Sequence, residues 1–393
     1  MSSTDPPQNE DGMKRAFREV LRDEFGFEDE LDRVIPNPEQ SLPKKTVAAG
    51  LREHLEDVQR QHSVGTYQTL QSRLGFFERW CNMEVEGSKR IEYLRDLTGQ
   101  DIRDFRDWRR SEGEWNLVTE ESQMGSLKKF LCECEKPGWV KPGLSNKVPI
   151  PTVKPDDESR EVTVRQEEAE AILDHLEKFE YASLQHCFYL VTKITGCRIS
   201  GFQSLDECDY EYDEETGGAI LKFRNRPETG TRLKNGSRSE RNFGIDEDDR
   251  EVIDDYIEHN RPDVVDDDGR KPLFATRQGR PAASTLRKYA YMWTRPCATT
   301  GECPLGRNIE ECDAAQSNDM ANHCPDSKSA HPIRRGRLTG ELTKGIPPYL
   351  LAEKYDVSPK TLKKHYDNRS PEEVRRTEEN LRRLLNDGMD RMY

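Results

Sequence analysis

The stretch Ser329–Asp367 reads SAHPIRRGRLTGELTKGIPPYLLAEKYDVSPKTLKKHYD. It holds an imidazole and a guanidinium in a His-x-x-Arg step, His331 and Arg334, and a phenol, Tyr366, in a basic setting. A guanidinium neutralises phosphate oxygens through paired N–H donors, and a phenol held beside it becomes a nucleophile once its proton is accepted. The spacing therefore predicts a phosphate clamp feeding a tyrosine. Tyr366, between KKH and DNRS, is expected to be exposed, while Tyr349 and Tyr355 are expected in the core.

What must position these groups is set first by size and composition. At 393 residues the chain is long enough for two cores. Acids outnumber bases 75 to 61, for a net charge of −14, and charged residues reach 35% against 33% hydrophobic. The acids run through segments with clear helical periodicity, and Arg outnumbers Lys. This reads as solvation for high salt, hence a halophilic source, and not as general disorder. An acidic chain binds polyanions only through local basic surfaces. No apolar run approaches the roughly 18–20 residues of a membrane span, and MSSTDPPQNEDG carries no signal-peptide pattern. The expectation is a soluble, cytoplasmic chain without a membrane partner.

Residues 1–37 read as an acidic arm with one short helix over Met13–Phe25. Residues 38–140 read as a helical domain: helices over Lys45–His62 and Thr66–Cys81, a third capped by Thr98, a fourth over Val118–Glu135, and no convincing strand. Five prolines between Lys136 and Arg160 mark a stiff linker, placed at 141–158. Residues 159–393 read as a second domain. It opens with helices over Arg165–Phe179 and Tyr181–Ile194, and then TGCRISGFQSL turns into a short helix at Arg198. Strands Ala219–Arg224 and Glu240–Ile245 flank a Gly-bearing hairpin, and helices follow over Asp246–His259, Ser284–Trp293 and Pro371–Asn386. Lys222–Arg241 holds seven bases against two acids, the local basic surface that an acidic chain needs. The fold class is mainly α with a small β-sheet.

Arg198, Lys234 on the basic hairpin, His331, Arg334 and Tyr366 stand in this order along the chain. With a helical domain, a linker and a mostly helical second domain around them, the chain resembles the tyrosine recombinase (phage-integrase, Xer-type) family, and most closely its haloarchaeal integrase-like members. The resemblance covers about residues 40–375. It implies an N-terminal helical core-binding (SAM-like) domain and an α+β catalytic domain that clamp double-stranded DNA. The implied activity is site-specific cleavage and rejoining, as in a mobile element, through a covalent 3′-phosphotyrosyl intermediate with type IB topoisomerase-like chemistry. It also implies a tetramer on paired sites and no cofactor for catalysis.

Arg198 and Arg334 would neutralise the non-bridging oxygens, His331 would assist proton transfer from Tyr366 or hydrogen-bond the scissile phosphate, and Lys234 would protonate the leaving 5′ oxygen. Arg232 or Arg238 could take the place of Lys234 at the hairpin tip. Val357 stands where the family usually has His or Trp nine residues before the tyrosine, with His365 a candidate replacement. Gly201 stands where it usually has Glu three residues after the first arginine. These departures support an alternative, a catalytically weakened or inactive DNA-binding regulator of the same fold. A zinc-dependent interaction module without DNA would leave the basic hairpin unexplained.

A second constellation is Cys297-x5-Cys303-x8-Cys312-x11-Cys324, in a polar insert at about 297–324 rich in turn residues. Four thiolates can hold a tetrahedral Zn²⁺ and staple such a segment, and His323 could replace one of them. Free thiols or disulfides are the competing readings. The metal would be structural, bracing the approach to His331. Cys81, Cys132, Cys134, Cys187, Cys197 and Cys208 are scattered, and core is the default for them.

Overall fold

The computed structural model describes residues 42–85, 88–113, 115–154, 162–367 and 369–390, together with residues 17 and 20. Apart from those two, the expected arm and its helix over Met13–Phe25 lie outside the described residues, as do 155–158 of the expected linker. The chain divides into two compact units, Met1–Arg160 and Glu161–Tyr393.

In the first unit, helices α1 (Val47–Gln61), α2 (Val64–Cys81), α3 (Gly99–Ser111) and α4 (Leu117–Glu135) each begin behind a side chain that caps the first turn. Thr46, Ser63, Thr98 and Asn116 accept amide protons that the first turn cannot pair internally. Thr98 caps α3 as expected, and Asp101 completes a reciprocal capping box with it. The apolar faces meet in an aromatic cluster, with Phe77 and Phe105 edge to face at 5.2 Å and Trp80 5.9 Å from Phe105. One expectation fails here: β1 (Glu84–Val85) pairs antiparallel with β2 (Ser88–Lys89). Two-residue strands are too short to show alternation in a sequence.

The second unit is built on α6 (Leu184–Thr195), which is buried along most of its length, and on α5 (Gln166–Phe179) packed beside it. Gly196 ends α6 in the left-handed conformation, φ +55°, and α7 (Ile199–Ser204) starts from Arg198. A three-stranded antiparallel sheet follows, in the order β3 (Tyr210–Tyr212), β4 (Ala219–Phe223), β5 (Arg241–Ile245). The register of β4 on β5 runs from Ala219↔Ile245 to Phe223↔Arg241, so Ala219, Leu221 and Phe223 face the core. Helices α8 (Glu247–Asp255), which runs on into a π turn, and α9 (Ala283–Trp293) complete this half.

The cysteine-bearing insert contains only short helices, α10 (Pro296–Thr300) and α11 (Asp313–Gln316), and 3₁₀ turns. It is tied to α9 by the Lys288–Asp319 ion pair. Beyond it come α12 (Ala330–Thr343), α13 (Pro348–Lys354), α14 (Pro359–His365) and α15 (Pro371–Asp390). The seat of α12 depends on a glycine, because a Cβ at Gly336 would stand 1.8 Å from the Val164 carbonyl oxygen. The close approach lets the Val164 amide donate to the Pro332 carbonyl at 3.1 Å, while Arg335 Nη1 donates to the Val162 carbonyl at 3.0 Å. The architecture is mostly helical with one small sheet.

Candidate active site

Four of the five residues singled out by order and type come together around α12. Arg334 lies on its inner face and is 1% exposed. A buried guanidinium is costly unless its N–H groups are paired. Here Nη1 donates to the Gly196 carbonyl at 2.5 Å, Nη2 to the Tyr355 and Asp356 carbonyls at 2.6 and 3.3 Å, and Nε to Tyr366 Oη at 3.3 Å. His331, three residues earlier, sets Nε2 3.5 Å from the same phenol oxygen, with the two rings edge to face. A cation and an imidazole thus converge on Tyr366 Oη.

The imidazole is kept neutral. Crowding by its neighbours, then the positive charges of Arg334, Arg335, Arg198 and Lys234, push the His331 pKa down to about 4, although the residue is exposed. With its proton on Nδ1, Nε2 is available as an acceptor.

Tyr366 is not exposed as expected. It is 2% exposed, its amide closes the end of α14 on Leu362, and Thr339 Oγ1 donates to its carbonyl at 2.7 Å. Leu362, one turn earlier, and Tyr366 itself bury on the same side of α14 while its lysines stay exposed, which sequence neighbours such as KKH do not reveal. Tyr355 is buried, but Tyr349 is exposed where a core position was expected. The side chain of His365 lies outside the described residues.

Arg198, at the start of α7, is held by Asp356. Its Nη1 donates to Asp356 Oδ2 at 2.6 Å and its Nη2 to the Asp356 carbonyl at 3.1 Å. Asp356 also accepts from Ser239 Oγ at 2.8 Å and from Asn235 Nδ2 at 3.0 Å. Sequence reasoning missed all three residues. The one signal was an Asp at a helix end, in KYDVSP. Asp356 sits in the left-handed region, φ +50°, in a helix stop where Val357 N donates to the Ala352 carbonyl and Asp356 N to the Glu353 carbonyl. Val357 is the apolar residue after that stop and packs into the core. Gly201 sits against Cys197 and Phe223, where an added Cβ would meet Cys197 Cβ at 3.3 Å, a close but not forbidden contact.

Lys234 is exposed on the loop between β4 and β5, near enough to act on His331. Not all the basic residues of this hairpin are available. Arg226 forms a two-pronged bond to Asp209 at 2.7 and 2.8 Å, Lys222 pairs with Glu211, Arg224 donates to Asn242, and Arg241 lies over the Phe223 ring. Arg232, Lys234 and Arg238 are exposed.

The four insert cysteines are all half-buried free thiols, and Cys297 senses the thiols of Cys324, Cys303 and Cys312. Burial raises the Cys297 thiol pKa, and Arg295 opposes that rise. Among the described residues, the trio whose candidate ligand atoms lie within 4.8 Å of one another is Asp206, Cys208 and Asp209. Its carboxylates are already paired with Arg226, Arg270 and Arg280. Of the scattered cysteines, Cys132 and Cys208 are exposed where core was expected, and the other four are buried.

Comparison of folds places this arrangement among known proteins. A lambda integrase dimer bound to a COC′ core site is similar over 92% of this chain and 87% of that one, with TM-score 0.60 and 14% sequence identity. The Tn1549 transposon integrase in complex with a circular intermediate DNA is similar over 86% of this chain and 99% of that one, with TM-score 0.59 and 14% identity. The fold is that of the integrases. No known family profile matches the sequence, and no curated protein matches it. On this integrase fold, the second unit carries every site residue described above. Among the described residues, no helix is long and apolar enough to cross a membrane.

Proposed function

We propose that this chain is a site-specific DNA recombinase that cleaves and rejoins DNA through a covalent 3′-phosphotyrosyl intermediate. The observation that carries this reading is the convergence of Arg334 Nε and His331 Nε2 on Tyr366 Oη, with Arg198 across a shared Asp356. Tyr366 Oη attacks the scissile phosphorus and passes its proton to neutral His331. The P–O5′ bond breaks, and Lys234 protonates the leaving oxygen. Arg198 and Arg334 stabilise the charge that grows on the non-bridging oxygens. Attack by a second 5′-hydroxyl reverses the steps. The bond energy stays in the phosphotyrosine, as in type IB topoisomerases, so this chemistry uses no cofactor. Double-stranded DNA is the partner, a homotetramer on paired sites is the working assembly, and a nucleoid-associated, cytoplasmic, salt-adapted protein of a mobile element fits the acidic composition.

Incubation in high salt with a nicked suicide duplex tests the reading. Wild type is expected to yield a covalent protein–DNA band and Tyr366→Phe none; an adduct from Tyr366→Phe would refute the assignment. A second reading, a DNA-binding regulator that no longer cuts, draws on buried Val357 and on the carbonyl partners that occupy the Arg334 N–H groups. Sequence-specific binding without an adduct from wild type would favour it.

The insert is read as a structural zinc site of Cys297, Cys303, Cys312 and Cys324. Two features support this. The insert buries little besides Ala314 and Ala321, too small a core to hold itself. Arg295, 9% exposed with Nε unpartnered, lies beside Cys297, and a tetrathiolate zinc carries net negative charge that it would balance. The thiols have to draw together to bind. Near-stoichiometric zinc after exhaustive dialysis, with a melting temperature lowered by chelator, is expected. A folded, zinc-free protein indifferent to chelator would sink this assignment.

A further inference from the structure

We infer that Arg198, Asn235 and Ser239 form a pocket for a phosphodiester oxygen, and that the Asp356 carboxylate fills this pocket at rest as a built-in competitor for DNA. The inference rests on the recombinase reading for its ligand, and deepens it by naming how the clamp is held before DNA arrives.

The donors come from separate elements. Arg198 stands at the head of α7, while Asn235 and Ser239 belong to the loop that also carries Lys234. All three aim at one anion, with Oδ2 accepting from Arg198 at 2.6 Å and Ser239 at 2.8 Å, and Oδ1 accepting from Asn235 at 3.0 Å. A guanidinium, an amide and a hydroxyl converging on two anionic oxygens is what a phosphate requires. A carboxylate that merely steadied Arg198 from behind would leave the loop's donors free. This one takes them as well, and so lies between the arginine and the lysine-bearing loop.

The backbone argues the same way. Asp356 holds φ +50°, a left-handed conformation that glycine adopts freely and that asparagine and aspartate tolerate. A helix stop alone would be served better by glycine. The carboxylate is there to take the three donors, and a phosphate that recruits the same donors competes with it for them. The latch is therefore poised to give way to a DNA phosphate and to close again on release.

The same position makes the test clean. Asn and Gly both suit a left-handed backbone, so Asp356→Asn and Asp356→Gly keep the helix stop. Each full-length variant is titrated against a short fluorescein-labelled duplex at fixed salt. Both are expected to bind about tenfold more tightly than wild type. In an Arg198→Ala background the gain should vanish, which separates a latch from the general effect of removing one negative charge. Ser239→Ala placed on Asp356→Asn should weaken binding again. Equal or weaker binding by both Asp356 variants, or a gain that survives without Arg198, overturns the inference. The covalent-adduct assay on the same proteins keeps the two ideas apart. Tighter binding with no adduct from any variant supports the latch and sinks the recombinase reading. An adduct from wild type with no gain in affinity does the reverse.

Discussion

His331 sets the first prediction at the scale of a single residue. Its pKa falls from an ordinary 6.5 to about 4, through crowding first and the surrounding cations second. In that window the unfolded chain binds the proton and the folded chain does not. The histidine's contribution to stability is therefore present above about pH 6.5 and is lost as pH falls toward 4. Denaturation midpoints measured from pH 4 to 7 should fall with acid more steeply in wild type than in His331→Gln. Bound phosphate adds a negative charge and should move the wild-type window upward. His331, Arg334 and Tyr366 were legible as residue types because their chemistry is distinctive and they share one stretch. Asp356 was not, because its meaning lies in Arg198, 158 positions away. No local pattern encodes a contact of that span.

At the scale of elements, α12 is fixed by the contact between Gly336 and the backbone of Val164. A methyl group there would stand 1.8 Å from a carbonyl oxygen, and backbone does not yield as a flexible side chain does. Gly336→Ala is expected to lower stability by about 1–3 kcal/mol, measured by denaturant unfolding. Because α12 carries both His331 and Arg334, adduct formation should fall with it. The helices were legible from apolar spacing and caps, Thr98 being the clearest case. The strands that escaped notice, β1, β2 and β3, are two or three residues long and partly exposed. Val357, which reads as a missing donor, occupies the position after the end of α13 where an apolar residue commonly packs.

For the whole molecule the question is how a chain of net charge −14 would hold the DNA that the recombinase reading assigns to it. The basic hairpin divides into two classes. Arg226, locked to Asp209, belongs to the fold, and Arg226→Ala should cost roughly 2–3 kcal/mol of stability. Arg232 and Arg238 face solvent. Replacing either by Ala should leave unfolding unchanged, weaken duplex binding, and reduce the salt slope of affinity by about 0.9 for each phosphate no longer neutralised. Binding isotherms at several salt concentrations decide this. The basic segment is plain in the sequence, but which of its cations are free is not, since ion pairs with Glu211 and Asp209 are set by tertiary folding. The two-unit plan was visible in the proline-rich stretch and the change of pattern after it.

The left-handed backbone at Asp356 also limits what variation can do there. Only glycine, asparagine and aspartate suit φ +50° at little cost, so the position has a working alphabet of three letters. One of the three is charged. An aspartate codon becomes a glycine or an asparagine codon by a single transition, so the resting state of the arginine opposite lies one mutational step from neutral.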